Sequence, residues 1–194
     1  QILGDDLGDD FGSSIACGNV DADSHDDFLI GAPGAYISAN GVGEAYMIRG
    51  GAALPSPYDL NLSGPDLLLS GTSSQGYAGM HVEMGDMDGD GYADLVVSAP
   101  GAAGGGTRTG SGEVYINFGS PTLSGSLILQ VNSNAVVWGA GTSDGLGSGI
   151  ALGDVEGDGR MDLLMGADLA DGPSNSRNKC GESYLLFGDD QLIL

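Results

Sequence analysis

Short apolar runs alternate with glycine-rich, acidic segments along this chain, and their spacing predicts strands and very few helices. Residues 28–32, 95–99 and 163–167 are continuous apolar runs, as in strands covered on both faces. Ahead of the first run, Ser13, Ile15 and Cys17 alternate with Ser14 and Ala16 at the period of two expected for a strand. Further strands are predicted at 45–48, 114–118 and 183–187, and at 67–70 and 135–138.

The predicted strands belong to one unit that occurs three times. The unit begins at Gly12, Gly79 and Gly147, at offsets of 67 and 68 residues. Four strands in a repeat of this length are typical of a β-propeller blade. The sequence therefore predicts an all-β partial propeller of three four-stranded blades. Their expected bounds are 5–71, 72–139 and 140–194, the last together with residues 1–4.

The third predicted blade lacks a fourth strand of its own. Residues 1–4 align with 136–139, inside a fourth strand, and residues 191–194 align with 126–129, which precede one. The missing strand could come from residues 1–4 or from a neighbouring chain. Propellers close with about four to eight blades. Three blades therefore imply either a longer parent protein or association, such as a two-fold homodimer that completes a six-bladed ring.

Three acidic loops of one nine-residue pattern precede the apolar runs. Carboxylates at positions 1, 3, 5 and 9 and a backbone carbonyl at position 7 could surround Ca²⁺, which takes about 6–8 oxygen ligands. Asn19 and Ser24 depart from the pattern at positions 1 and 6 of the first loop. The alternative is an acidic, solvated turn. An EF-hand is excluded, because position 12 is apolar in every loop instead of the glutamate that an EF-hand needs.

The pattern predicts three Ca²⁺ ions, one per repeat. Mg²⁺ fits less well, because it keeps several waters and takes fewer protein ligands. The predicted ligands are Asn19, Asp21, Asp23, His25 and Asp27 in the first loop, Asp86, Asp88, Asp90, Tyr92 and Asp94 in the second, and Asp154, Glu156, Asp158, Arg160 and Asp162 in the third.

The chain resembles the FG-GAP repeat, the blade of the integrin α-subunit β-propeller. The resemblance is carried by Phe11-Gly12, by Gly31-Ala32-Pro33, by the acidic loops and by the motif Gly-Glu-X-Tyr at 43–46, 112–115 and 181–184. Phenylalanine is absent from the second and third repeats, and integrin propellers have more than three blades. The resemblance implies calcium in the hairpins of one rim. It also implies ligand binding on the opposite rim, built from the second-to-third and fourth-to-first strand loops.

The charge of the chain restricts its partners. The chain has 27 acidic and 5 basic residues, for a net charge of −22, which repels nucleic acid. No apolar run reaches the roughly 18 residues of a membrane helix, so we expect no membrane insertion. Arg108, Arg177 and Lys179 fall in loops that the resemblance assigns to the ligand rim. They are candidate contacts for a protein or acidic ligand, and solvated surface charges are the alternative.

No catalytic site is predicted. Glu44, Glu113 and Glu182 recur in every repeat, so we interpret them as structural acceptors for neighbouring loops. His81 and Glu83 share one face of a strand and could be an acid–base pair, a partner contact or a core pair. Following the resemblance, Cys17 and Cys180 belong to opposite rims, so a bridge between them is not expected.

These observations predict a non-catalytic, calcium-binding module for extracellular protein binding or adhesion. Cytosolic calcium would leave sites of the ~10⁻⁴–10⁻³ M class empty, hence the predicted location outside the cell or on its surface. Two alternatives stay open. One is a propeller accessory to a secreted calcium-dependent hydrolase acting on phospholipids or polysaccharides, and the other is a structural cell-surface module.

Overall fold

A computed structural model describes residues 1–35, 41–172, 174 and 176–189. In this part of the chain the α-helices are two single turns, and neither could span a membrane. The elements are β1 (Ile2–Leu3), β2 (Ser14–Gly18), β3 (Asp27–Ala32), β4 (Glu44–Ile48), β5 (Tyr58–Asp59), α1 (Leu60–Ser63), β6 (Leu67–Ser70), β7 (Val82–Gly85), β8 (Asp94–Ala99), β9 (Glu113–Asn117), β10 (Gly125–Ile128), α2 (Leu129–Asn132), β11 (Ala135–Trp138), β12 (Leu146–Gly153), β13 (Asp162–Ala167) and β14 (Glu182–Leu186).

Each repeat folds into one antiparallel sheet, which confirms the all-β propeller prediction. Blade 1 contains β2, β3, β4 and β6, blade 2 contains β7, β8, β9 and β11, and blade 3 contains β12, β13 and β14. The apolar second strands β3 and β8 are almost wholly buried, as expected for strands covered on both faces. The expected fourth strands at 67–70 and 135–138 are β6 and β11, with the same bounds.

The connections between blades add strands that the sequence did not predict. β10 runs parallel to β6, pairing Gly125 with Leu67 through Ile128 with Ser70, so the sheet of blade 1 has five strands. β5 pairs with β1 in the same parallel sense. Residues 1–4 thus lie beside blade 1. In the described residues β1 does not pair with blade 3 of the same chain. Its parallel pairing with β5 matches that of the fourth strand β6 with β10 and leaves its other edge unpaired, so the completion of blade 3 by residues 1–4 stays a prediction. The alignment of residues 191–194 lies outside the described residues.

Consecutive blades pack sheet against sheet. We call the side of a blade toward the following repeat its forward face, and the opposite side its rear face. Leu29 and Met47 on the forward face of blade 1 share an apolar cluster with Val82 and Leu95 on the rear face of blade 2. The forward face of blade 2 packs on blade 3 in the same way, through Val96, Ile116, Leu163 and Met165.

The blades approach closely enough for backbone to contact backbone. A Cβ at Gly31 would overlap the carbonyl oxygen of Gly79, and one at Gly43 would overlap the backbone of Ala78. Gly43 also has φ +77°, a conformation that favours glycine. The Ala78 N–H donates to the Val42 carbonyl at 3.0 Å, and Leu146 bonds to Ser111 at 2.8 Å between blades 2 and 3. These repeated contacts fix the register between blades.

Candidate metal centre

The three acidic loops are the hairpin connections between the first two strands of each blade. Loop 1 is 19–27, loop 2 is 86–94 and loop 3 is 154–162. Neighbouring loops touch, because the Ala93 N–H donates to the Asn19 carbonyl at 2.8 Å and the Met161 N–H donates to the Asp86 carbonyl at 2.8 Å. The loops therefore lie side by side on one rim.

The position-9 aspartates, Asp27, Asp94 and Asp162, are at most 1% exposed. Each accepts two backbone N–H groups, one from position 2 of its own loop and one from the glycine that follows the third strand. In loop 2 these donors are Met87 at 2.8 Å and Gly119 at 2.9 Å. Val20 and Gly50, and Val155 and Gly188, do the same in the other loops. Position 9 thus ties the loop to the end of the third strand, a role that the loop spacing did not reveal.

The loop backbone turns around the carboxylates at positions 1 and 5, which accept hydrogen bonds from backbone N–H groups of the same loop. Asp86 accepts the Gly89 and Gly91 N–H groups at 2.7 and 2.9 Å. Asp90 accepts the N–H of Tyr92 at 2.9 Å. Equivalent bonds hold loop 3 around Asp154 and Asp158. The N–H of the position-7 residue donates a hydrogen bond within the loop. This contact does not involve the carbonyl group, so calcium ligation by the carbonyls of His25, Tyr92 and Arg160 stays a prediction.

Loop 2 brings three carboxylates to one point. Oxygens of Asp86, Asp88 and Asp94 all lie within 4.8 Å of one another, and Asp88 and Asp94 are buried. Burial raises the pKa of Asp94 to about 7, although the Gly119 and Met87 N–H groups oppose the shift and Asp88 and Asp86 add to it. Burial also raises the pKa of Asp88. Desolvated carboxylates this close repel one another, and a hard divalent cation with oxygen ligands would relieve the repulsion.

Loop 1 has only some of the features expected of a calcium site. The Asn19 side-chain amide donates to the Asp23 carbonyl at 2.8 Å, and Asn19 Oδ1 is left buried without a hydrogen-bond partner. That unpaired, buried oxygen could be a ligand for a cation. Asp21, however, already pairs with the Arg49 guanidinium, 3.1 Å from Nε to Oδ2. Ala22 adopts φ +54° at position 4, where the other loops have glycine. Loop 1 is therefore less prepared for an ion than loop 2.

Loop 3 has the same backbone turns as loop 2, but its carboxylates do not converge on one point. Among the described residues, which include all three loops, only Asp86, Asp88 and Asp94 form an acidic group within 4.8 Å. The structure therefore brings together the predicted ligands of loop 2 more closely than those of loops 1 and 3. Arg160, a predicted backbone ligand, has its side chain 3.8 Å from Asp189.

Comparison with known proteins decides the family. The FG-GAP repeat model matches residues 11–47, 78–116 and 146–186, in step with the three blades. This chain belongs to the FG-GAP repeat family. The FG-GAP chain is 32% identical over 155 residues to a mouse phosphatidylinositol-glycan-specific phospholipase D, covering 79% of the chain and 18% of that protein.

Integrin α subunits are also similar to the FG-GAP chain. The identity to Drosophila melanogaster integrin alpha-PS2 is 33% over 180 residues, covering 88% of the chain and 12% of the integrin. The identity to mouse integrin alpha-IIb is 31%, covering 86% of the chain and 16% of the integrin. The chain thus spans less than a fifth of the length of these relatives.

The FG-GAP motif glutamates are acceptors, as expected, but their shared donor differs from the expectation. Tyr46 Oη donates to Glu44 at 2.6 Å, and the same bond joins Tyr115 to Glu113 and Tyr184 to Glu182. The tyrosine of the same Gly-Glu-X-Tyr motif is thus the partner common to all three glutamates, and a neighbouring loop also donates to Glu113, as expected. Ser70 adds a bond to Glu44, and Gly105 and Gln130 add bonds to Glu113.

The remaining candidates do not form a site in the described part of this FG-GAP chain. Arg108, Arg177 and Lys179 make no ion pair there within 4.0 Å. The backbone N–H groups of Arg177 and Lys179 donate to Asp171. The proposed rim loops 34–43 and 169–180 are described except for residues 36–40, 173 and 175.

His81 and Glu83 lie on either side of Val82 at the start of blade 2, and their role stays open. Burial raises the pKa of Glu83, and the nearby His81 opposes that shift. The His81 backbone N–H donates to Ser98 Oγ at 3.0 Å. Cys17 and Cys180 are both exposed free thiols in the structure.

Proposed function

We propose that this FG-GAP chain is a calcium-binding, non-catalytic propeller segment that mediates protein or ligand binding outside the cell. The carboxylate cluster of Asp86, Asp88 and Asp94 carries the proposal. Each acidic loop holds one Ca²⁺. Loop 2 binds most tightly, because its carboxylates already converge, and loop 1 most weakly, because Arg49 already compensates Asp21.

Calcium acts here on structure. The position-9 aspartates tie the hairpins to the third strands, so an ion bound beside them stabilises the rim where neighbouring blades meet. We assign these sites to the weak class of extracellular modules, about 10⁻⁴–10⁻³ M. Such sites fill only where calcium is millimolar, which supports a secreted or cell-surface location.

A second candidate rests on the similarity to a phosphatidylinositol-glycan-specific phospholipase D. In this alternative the chain is the accessory propeller of a larger secreted hydrolase, and the chemistry belongs to another domain. A parent protein with a separate catalytic domain would favour it. A hydrolase activity retained by the 194-residue chain alone would contradict both candidates.

Calcium is expected to raise the melting temperature. A ligand at about ten times its Kd adds about 1.4 kcal/mol per site, and 1 kcal/mol corresponds to about 2–4 °C for a chain of this size. Melting curves in EDTA, in 5 mM Ca²⁺ and in 5 mM Mg²⁺ measure the effect, and calorimetric titration counts the ions. The Asp88→Asn variant should lose the tightest site. Identical curves in EDTA and calcium would refute the proposal.

The opposite rim is proposed to contact an acidic partner through Arg108, Arg177 and Lys179. Changing all three to glutamine should weaken binding of a tetra-aspartate peptide at low salt, because the attraction is electrostatic. The matched control replaces the exposed Thr122, Ser124 and Ser126 with aspartate, which lowers the net charge by the same amount. Equal affinities of the two triple variants, measured by calorimetry, would remove the three basic residues from the binding surface.

A further inference from the structure

A cavity of about 300 Å³ lies on the rear side of blade 2, beside the end of its fourth strand. Its lining consists of Gly105, Gly106, Glu113, Gln130, Val136 and Trp138. We propose that this cavity binds one ring of a neutral sugar, which stacks on Trp138 and donates hydrogen bonds from its hydroxyl groups to Gln130 and Glu113. The inference goes beyond the proposed function and does not depend on calcium binding.

The cavity faces the interior of the repeat array. Val136 packs on the apolar cluster shared by blades 1 and 2, whereas Val137 packs on the cluster shared by blades 2 and 3. Side chains alternate along a strand, so Trp138 lies on the same side as Val136, toward blade 1. Gln130 Nε2 donates to Ser73 Oγ at 3.4 Å, in the connection between these two blades. Blades 1 and 2 are thus both present around the cavity, which is not an end face of the array.

Trp138 supplies an open aromatic surface for the apolar face of a sugar ring. It is the single tryptophan of the chain and is 54% exposed, although it belongs to a strand. A Cβ at Gly105 would lie 3.9 Å from Trp138 Cε3, and one at Gly106 would have nothing within 4 Å. The two glycines therefore leave uncovered a surface that larger residues would occupy. The partially negative face of an aromatic ring attracts the C–H groups of a sugar.

Two hydrogen-bond acceptors line the same cavity. Gln130 Nε2 donates to Glu113 and to Ser73, whereas Gln130 Oε1 is buried without a hydrogen-bond partner. An unpaired buried acceptor costs free energy, which a hydroxyl donor in the cavity would recover. Glu113 Oε1 accepts the Gly105 N–H at the long distance of 3.3 Å, and a carboxylate oxygen can accept a second bond. Acceptors beside an aromatic surface match a sugar, whose hydroxyl groups surround an apolar ring.

The charges around the cavity favour a neutral ligand. An anionic ligand would meet the Glu113 carboxylate, which is 2% exposed. A cationic ligand would meet the Arg108 guanidinium, because a Cβ at Gly104 would lie 3.4 Å from both Arg108 Nη2 and Trp138 Cβ. Like charges at such short range repel one another. The acidic partner proposed for Arg108 would therefore contact the rim outside this cavity.

The side chains of this cavity depart from the repeat. In blade 1 the counterpart of Trp138 at the end of the fourth strand is Ser70, and the counterpart of Gln130 on the single-turn helix is Asn61. Ser70 is 6% exposed, and both counterparts donate hydrogen bonds to their surroundings. Side chains that recur in every blade serve the fold, so this departure in one blade supports a role in ligand binding.

Tryptophan fluorescence tests the site directly, because Trp138 is the single tryptophan. The methyl glycosides of glucose, galactose, mannose and N-acetylglucosamine present a free ring, and dextran and mannan present rings within a chain. At least one of these neutral probes should shift the emission to shorter wavelength in a saturable way, because the sugar displaces water from the indole. The amino-sugar and uronic-acid analogues of the sugar that binds should bind about tenfold more weakly. No saturable shift with any neutral probe, or equal affinity for a charged analogue, would overturn the proposal.

Two variants identify the side chains, with calorimetry as the measurement because one of them lacks the indole. Trp138→Ala should abolish binding, and Gln130→Leu should weaken it about tenfold, the effect of losing one hydrogen bond. The controls are Phe187→Ala and Val131→Ala, because these side chains are 49% and 74% exposed and lie outside the cavity. Both controls should bind as wild type does. Wild-type affinity in Trp138→Ala, or an equal loss in the controls, would remove the sugar from this cavity.

Discussion

Replacing Asp94 with alanine should lower the free energy of unfolding by about 2–6 kcal/mol and abolish the calcium response of loop 2. Asp94 is 0% exposed, and its two oxygens accept the Met87 and Gly119 N–H groups. Each buried donor left without a partner costs about 1–3 kcal/mol. The loop would lose its tie to the third strand together with one of its three converging carboxylates.

Urea denaturation in EDTA and in calcium separates the two effects. Asp90→Ala is the matched control, because Asp90 belongs to the same loop but is exposed, and the backbone N–H that it accepts is that of the nearby Tyr92. In EDTA, Asp94→Ala should be much less stable than Asp90→Ala. Equal stability of the two variants would contradict the tie between the loop and the third strand.

Replacing Gly31 with alanine should destabilise the chain by about 3 kcal/mol, the upper end of the usual cost of overpacking. The new methyl group would overlap the Gly79 carbonyl oxygen, which is backbone and cannot rotate away. The first two blades would have to separate, and the apolar cluster around Leu29 and Met47 would loosen.

Gly166→Ala is the matched control, since it is the same strand position in blade 3 and its nearest neighbour is 3.6 Å away. Denaturation should show this variant close to wild type, because the added methyl group meets no backbone atom at overlapping distance. Equal unfolding free energies for Gly31→Ala and Gly166→Ala would show that the blades do not approach as described.

The sequence predicted those strands whose pattern is local. The predicted bounds of β6 and β11 agree with the structure at both ends, because each strand is a short apolar run between turn-forming residues. β12 is longer than its counterparts, Leu146–Gly153, and its pairing shifts register between Leu146 and Gly149. Pairing partners could not be predicted in the same way. Nothing near Gly125–Ile128 indicates that this segment lies parallel to β6.

The candidate metal site could likewise be predicted where its residues are close in the chain, but not where its contacts join distant segments. The nine-residue spacing identified the loops, because their ligands are close in the chain. It could not reveal that Gly50 donates to Asp27, since 23 residues separate them. Nor could it reveal that Arg49 pairs with Asp21. The glycine contact is common to all three loops, whereas the Arg49–Asp21 pair distinguishes loop 1 from loop 2.

The parallel pairing of β10 with β6 bears on the order in which the chain can fold during synthesis. β6 ends at Ser70, but the strand that covers its outer edge begins only at Gly125. Until the ribosome has released that later segment, the first sheet presents unpaired backbone groups, which invite pairing with another nascent chain. Translation pauses between these two points would therefore lengthen the period in which the growing polypeptide needs a chaperone.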